Sequence, residues 1–211
     1  GSKRVIQGFI GIFTVVFIVA GIGVLGLNKL SKSLKSVYKN SLIPERDLAT
    51  ITKLQYDNRF HLEELLTGLS ASKHSELLAA IAGNNKRLDG ILDKHINDDY
   101  FIPVEKEHLK EYQRVLKQYR ILERKVIALH ETGKTDSANI VFKFQTYVPF
   151  SDAIKRLDRL EDEELSTGAE EVKTTLELAN QVRLLMYIAV FVAILIAVLL
   201  GTVVGRSIID R

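Results

Sequence analysis

Two apolar runs, one at each end, constrain this chain more than anything else in it. Residues 184–204 read LLMYIAVFVAILIAVLLGTVV, 21 residues without a charge. At 1.5 Å rise per residue such a helix is about 30 Å long, the thickness of a bilayer's hydrocarbon core. Residues 5–27 form the other run, with Gln7 as its only strongly polar side chain. The 156 residues between them, 28–183, are as charged as the runs are apolar. The chain therefore reads as transmembrane helix 1 (5–27), one water-soluble domain (28–183) and transmembrane helix 2 (184–204), followed by the start of a linker (205–211). Both termini then lie on the same side of the bilayer.

The charge fits that division. The net charge is +3, yet residues 28–183 hold 25 Lys and Arg against 25 Asp and Glu. The excess comes from Lys3, Arg4, Arg206 and Arg211 at the span flanks, so no basic face is left for nucleic acid. Lys29, Lys32, Lys35 and Lys39 lie on the opposite side of the first span, and the positive-inside count does not choose an orientation. A run of 23 residues exceeds a signal-peptide core of 7–15, which favours an uncleaved signal anchor. Gly1-Ser2 reads as a cloning remnant and the stop after Arg211 as a truncation. The chain has no Cys, hence no disulfide framework and no thiolate metal site.

Beyond the first run a seven-residue repeat begins. Leu27, Leu30, Leu34, Val37, Ser41, Pro44, Leu48, Ile51, Gln55, Asn58, Leu62 and Leu65 alternate steps of three and four. The spacing predicts one long helix to about Thr67, with a bend at Pro44 and a turn at Gly68. A second helix, capped by Ser70 or Ser72, carries Leu77, Ile81, Asn84, Leu88, Ile91 and His95, and Asn97-Asp98-Asp99-Tyr100 breaks it. Pro103 opens a third, with Glu105, His108, Tyr112, Val115, Tyr119, Leu122, Val126 and Leu129 along its seam and Gly133 past its end. Thr135 or Asp136 caps a fourth. It passes Pro149 and shows Ile154, Leu157, Leu165, Val172, Leu176, Ala179 and Val182 before merging into the last span. No stretch alternates with period two. The expected fold is all-α: an antiparallel up-down-up-down four-helix bundle flanked by two transmembrane helices. Ala189, Ala193, Ala197, Gly201 and Gly205 recur every fourth residue, a spacing that suits a tight helix–helix contact in lipid, within the chain or across a dimer.

The segments VYKNSLIPERDLATI (Val37–Ile51) and ETGKTDSA (Glu131–Ala138) resemble the sensor module of methyl-accepting chemotaxis proteins. The tail GRSIIDR resembles the first residues of a HAMP linker, the coiled-coil relay after a second span, although Asp210 departs from that pattern. The resemblance covers nearly the whole chain. It implies a two-pass protein of the bacterial inner membrane with a periplasmic or extracellular sensor domain. It further implies a homodimer whose cytoplasmic part controls a histidine kinase through an adaptor. The same input module occurs on sensor kinases and cyclases, and a non-signalling membrane scaffold is a further alternative.

Folding the helices back at residues 69, 100 and 134 puts Gln55 opposite Asn84, Asn84 between Val115 and Tyr119, and that level near Asp152 and Lys155. Gln55, Asn58, Asn84 and Tyr119 then form either a register-fixing polar layer or a small polar cavity, or part of a dimer-interface pocket, for a small metabolite. Arg59 is the candidate partner of a ligand carboxylate, or else a surface ion pair, with Ser151 or Asp152 taken as its opposite number. Arg46, Lys143, Lys155 and Arg156 complete the cationic candidates. No catalytic group, cofactor or metal site is expected: Glu105-Lys106-Glu107-His108 supplies one Glu-x-x-His where a di-iron bundle needs two. Gly133-Lys134-Thr135 lacks the upstream glycine and strand of a P-loop. The expected ligand is a small molecule, an organic acid or an amino acid.

Overall fold

The computed structural model describes residues 2–68, 70–97 and 103–209. Its elements are α1 (Ser2–Val37), a π-helical turn π1 (Tyr38–Leu42), α2 (Ile43–Leu65), α3 (Ala71–Asn97), α4 (Pro103–Glu131), α5 (Thr135–Ile140), a second π turn π2 (Val141–Gln145) and α6 (Tyr147–Ile209). The fold is all-α, a four-helix bundle, with no strand among the described residues. Asp98, Asp99 and Tyr100 of the expected break, and Asp210 and Arg211 of the tail, lie outside the described residues.

Each connection has a local chemical cause. Gly68 takes φ +78°, a left-handed conformation that needs no Cβ, and the Ser70 hydroxyl accepts from the Lys73 amide to cap α3. Gly133, at φ +75°, ends α4: the Gly133 amide bonds to the His130 carbonyl and the Lys134 amide to the Leu129 carbonyl, the paired closure of a Schellman end. Thr135 and Asp136 do not cap the next helix as expected. The cap position is Lys134, which offers no side-chain bond.

Neither proline simply bends a helix. Pro44 and Pro149 each stand just after a π turn. A proline inside a helix lacks an amide and crowds the carbonyl four residues back, and widening the preceding turn relieves both. The Thr146 amide accordingly bonds to the Val141 carbonyl, five residues back.

The chain divides into two compact units, Tyr38–Ala169 and the two termini, Gly1–Val37 with Glu170–Arg211. In the first, two apolar clusters form the core. One contains Leu48, Ile51, Leu88, Leu92, Leu109, Tyr112, Ala153 and Leu157; the other contains Leu62, Leu65, Leu77, Ile81, Val126, Ala138 and Phe142. In the second unit lie apolar helical stretches long enough to cross a membrane. There α1 supplies the glycines of close approach, since a Cβ on Gly26 would lie 2.6 Å from Val182 Cγ1. The small-residue stripe of the last run has a different setting. Ala193 and Ala197 line an apolar cavity of about 420 Å³, and a Cβ on Gly201 or Gly205 would meet nothing within 4 Å.

Candidate functional site

Every seam position of the first leg from Val37 to Leu65 is buried, the polar ones included. Gln55 and Asn58 therefore point into the bundle because the heptad phase of their apolar neighbours carries them there. Asn58 Nδ2 donates to Asn85 Oδ1 at 2.9 Å, and Asn85 Nδ2 donates to Glu123 Oε1 at 3.0 Å. This relay crosses from α2 through α3 to α4 and falls between the two apolar clusters.

The partner is Asn85, not Asn84, although both are half-buried. The register explains the difference. Asn85–Glu123 and the 2.7 Å Arg120–Asp89 ion pair centre the α3–α4 pairing near residue 104. The turn had been placed at 100, and an offset of four at a turn displaces the antiparallel partner by eight residues, about two helical turns. Gln55 instead neighbours the Tyr112 hydroxyl. The seam of α4 is corrected likewise: Leu109 and Glu123 are buried where His108 and Leu122 were expected. His108 is half-buried, with Nδ1 2.9 Å from Glu163 Oε2.

Among the described residues several buried atoms of this layer lack a well-aligned hydrogen-bond partner: Gln55 Nε2, Asn58 Oδ1, Tyr112 Oη, Tyr119 Oη and Glu123 Oε2, although Gln55 lies beside the Tyr112 hydroxyl and Arg59 beside that of Tyr119. Burial pushes the Tyr112 and Tyr119 phenols well above the ordinary tyrosine value, so both stay protonated.

Arg59 follows Asn58 and so faces the neighbouring groove, toward the fourth leg. Its guanidinium carbon lies 4.7 Å from the Phe142 ring centroid and 4.6 Å from that of Phe150, a double cation–π clamp. Nη1 donates to Thr146 Oγ1 at 3.1 Å, and the Thr146 hydroxyl in turn donates to the Phe142 carbonyl. Tyr119 packs against Phe150 at 5.6 Å between centroids, and Tyr56 meets the same ring edge-on at 5.4 Å. No carboxylate pairs with Arg59 among the described residues. Its opposite number is Thr146 rather than Ser151 or Asp152. Antiparallel neighbours keep a constant sum of residue numbers, so moving one turn along α2 from Gln55 moves the partner back along the fourth leg. The clamp stands on π2 and the residues just after it, an irregularity the heptad pattern did not signal, although Pro149 did.

Lys155 and Arg156 lie elsewhere. With His108, Glu111, Asp152 and Arg159 they line a separate hollow of about 270 Å³ between α4 and α6. Arg156 bonds Glu111 and, at 3.4 Å, Asp152. Lys155 has no ion-pair partner among the described residues. Arg46 is paired with Asp47 at 3.0 Å, and Lys143 is exposed on π2. The residues expected at one site thus fall into a buried layer (Gln55, Asn58), an aromatic clamp (Arg59, with Tyr119 against its Phe150) and a charged groove (Lys155, Arg156), with Asn84 outside all three.

Among the described residues no cluster of His, Asp and Glu could hold a metal ion. The described chain is thus a helical bundle with Arg59 held between aromatic rings in one groove, and with helices long and apolar enough to cross a membrane in its terminal unit. The chain belongs to the family of the four helix bundle sensory module for signal transduction, whose pattern it matches over residues 2–179. No curated protein and no solved structure matches it.

Proposed function

We propose that this chain is the sensory region of a two-pass receptor in a bacterial inner membrane, with the bundle on the outer side. The observation that carries the reading is α6: the helix that begins beside the Arg59 clamp runs without a break from Tyr147 to Ile209, through the apolar run. A helix is stiff along its axis, so a ligand that changes the packing of Phe150 against Arg59 moves the same rigid element that enters the lipid. The ligand is a small organic acid or amino acid whose carboxylate pairs with Arg59, which meets no carboxylate among the described residues, and it shifts the signalling equilibrium only by its differential affinity for the two states. The output is a cytoplasmic signalling domain of the chemoreceptor type, reached through a HAMP-like linker, with a histidine kinase and adaptor as downstream partners.

A homodimer fits the same reading. The buried positions of α6 include Glu164 and Thr175, whereas Leu165, Val172 and Leu176, expected in the seam, are exposed. Ile154 and Leu157 are buried as expected, but from Glu164 onward the apolar phase of this helix is one residue off its buried phase, and a second copy would cover it.

The test is a thermal-shift screen of organic acids and amino acids on the full chain in detergent. A carboxylate ligand should raise the melting temperature of the wild type, and Arg59→Ala should abolish that shift while changing the unliganded melting point little. Binding retained by Arg59→Ala, or a large drop in its unliganded melting point, overturns the assignment.

A further inference from the structure

We infer that Glu123 is a proton-binding site in the middle of the bundle and gives the module a second input, pH, independent of any ligand at Arg59. The residue is 3% exposed, one oxygen is bound by a neutral amide, and the other has no hydrogen-bond partner among the described residues. No Lys, Arg or His lies within ion-pair distance of it among the described residues.

The charged groups around it do not neutralise it. Arg120, one turn back on α4, gives its Nη1 to Asp89 of α3 at 2.7 Å and its Nη2 to the Asn85 carbonyl at 3.3 Å. Arg124 is exposed on the outer side of α4. From α2 the facing group is the neutral Asn58, and its neighbour Arg59 is held between Phe142 and Phe150. The fourth leg brings Phe142, Thr146 and Phe150 to the level of Arg59, none of them titratable. Tyr119 on α4 stays a neutral phenol.

A carboxylate at this place would be a bare buried charge, which is far more costly than a buried acid. Burial accordingly pushes the Glu123 carboxyl above its ordinary value, against the opposing pull of the Asn85 bond and of Arg120 and Arg124. As an acid, the carboxyl gains an O–H donor in a layer where Asn58 Oδ1 needs one. The site also falls where a charge has leverage, because the Asn58–Asn85–Glu123 relay is the seam between the two apolar clusters. Loss of the proton draws water to that seam and loosens the packing of α2, α3 and α4 around it.

The sign follows from linkage. A carboxyl raised in the folded state is protonated there while the unfolded chain has already ionised, so wild-type stability falls as pH rises from the ordinary carboxylate range toward the folded value. Glu123→Gln keeps the shape and the Asn85 bond and cannot ionise. Full-length wild type and Glu123→Gln should be melted in detergent across the pH range. The variant should match the wild type at about pH 4 and exceed it by a margin that widens with pH, reaching several degrees, before levelling off. Infrared difference spectra across the titration should show a protonated-carboxyl band in the wild type that the variant lacks and that persists above the ordinary carboxylate range. This second readout holds even if the variant melts poorly, since the wild-type band must itself fade as pH rises. A melting difference independent of pH, or a band that fades entirely within the ordinary carboxylate range, overturns the proposal.

Discussion

Asn85→Ala and Asn84→Ala, adjacent changes on one helix, should behave as opposites. Asn85 holds two hydrogen bonds, 2.9 Å from Asn58 and 3.0 Å to Glu123, at a level where neither partner can turn to water. Removing it leaves the Asn58 amide and the Glu123 Oε1 unsatisfied. Each lost bond is worth about 1 kcal/mol net and each stranded buried group about 1–3 kcal/mol, so the change should cost about 3 kcal/mol. For a unit the size of Tyr38–Ala169 that corresponds to about 10 °C in melting temperature. Asn84 is half-buried like Asn85 but makes no bond to another helix among the described residues, and alanine is the better helix former, so Asn84→Ala should stay within about 0.5 kcal/mol of the wild type. Loss of bundle helicity by circular dichroism, followed against temperature and urea on the full chain, measures both. Comparable losses from the two variants, or a loss under about 1 kcal/mol from Asn85→Ala, would refute the register deduced from the relay.

Two further expectations concern charge and backbone. Burial alone would raise the Asp47 carboxyl, but hydrogen bonds from Lys94, Arg46 and the fully buried His95 outweigh it and hold it below the ordinary carboxylate value. Its stabilisation is present above the unfolded value and fades as pH falls through the lower folded one. Asp47→Asn should therefore melt lower than wild type at neutral pH and converge with it in strong acid, the reverse of Glu123→Gln; a constant gap in a pH series of melts contradicts this. Gly133→Ala, at φ +75°, should cost about 1–2 kcal/mol, whereas Gly83→Ala, in mid-helix with open space around it, should gain about 0.5–1 kcal/mol; urea midpoints decide both.

The sequence made the bundle legible because heptad phase is a long-range average. On the first leg, buried and expected positions agree from Val37 to Leu65, Gln55 and Asn58 included. Errors arose where a polar residue occupies a core position and an apolar neighbour sits beside it. Glu123 was passed over for Leu122, Glu164 for Leu165 and Thr175 for Leu176, because apolarity is the only cue a periodicity reading has. Asn85 and Asn84 are chemically identical, so only the inter-helix register distinguishes them, and register depends on turn lengths that were off by a few residues. The clamp around Arg59 was half visible: the cation and Pro149 are in the sequence, but the π turn that aims Phe142 and Thr146 at the guanidinium is a response to packing.

Each π turn threads one residue more than an α turn along the same height, so the chain carries slack at Tyr38–Leu42 and again at Val141–Gln145. Taking up that slack at the second site would advance everything after it by one α step, about 1.5 Å of travel and about 100° of roll. Phe150, Leu157 and the apolar run to Val204 share α6 and would turn together, so its exposed stripe of Leu165, Val172 and Leu176 would swing to a new azimuth. Pro149, just past the second π turn, sets the phase at which this long helix is wound, as Pro44 does for α2.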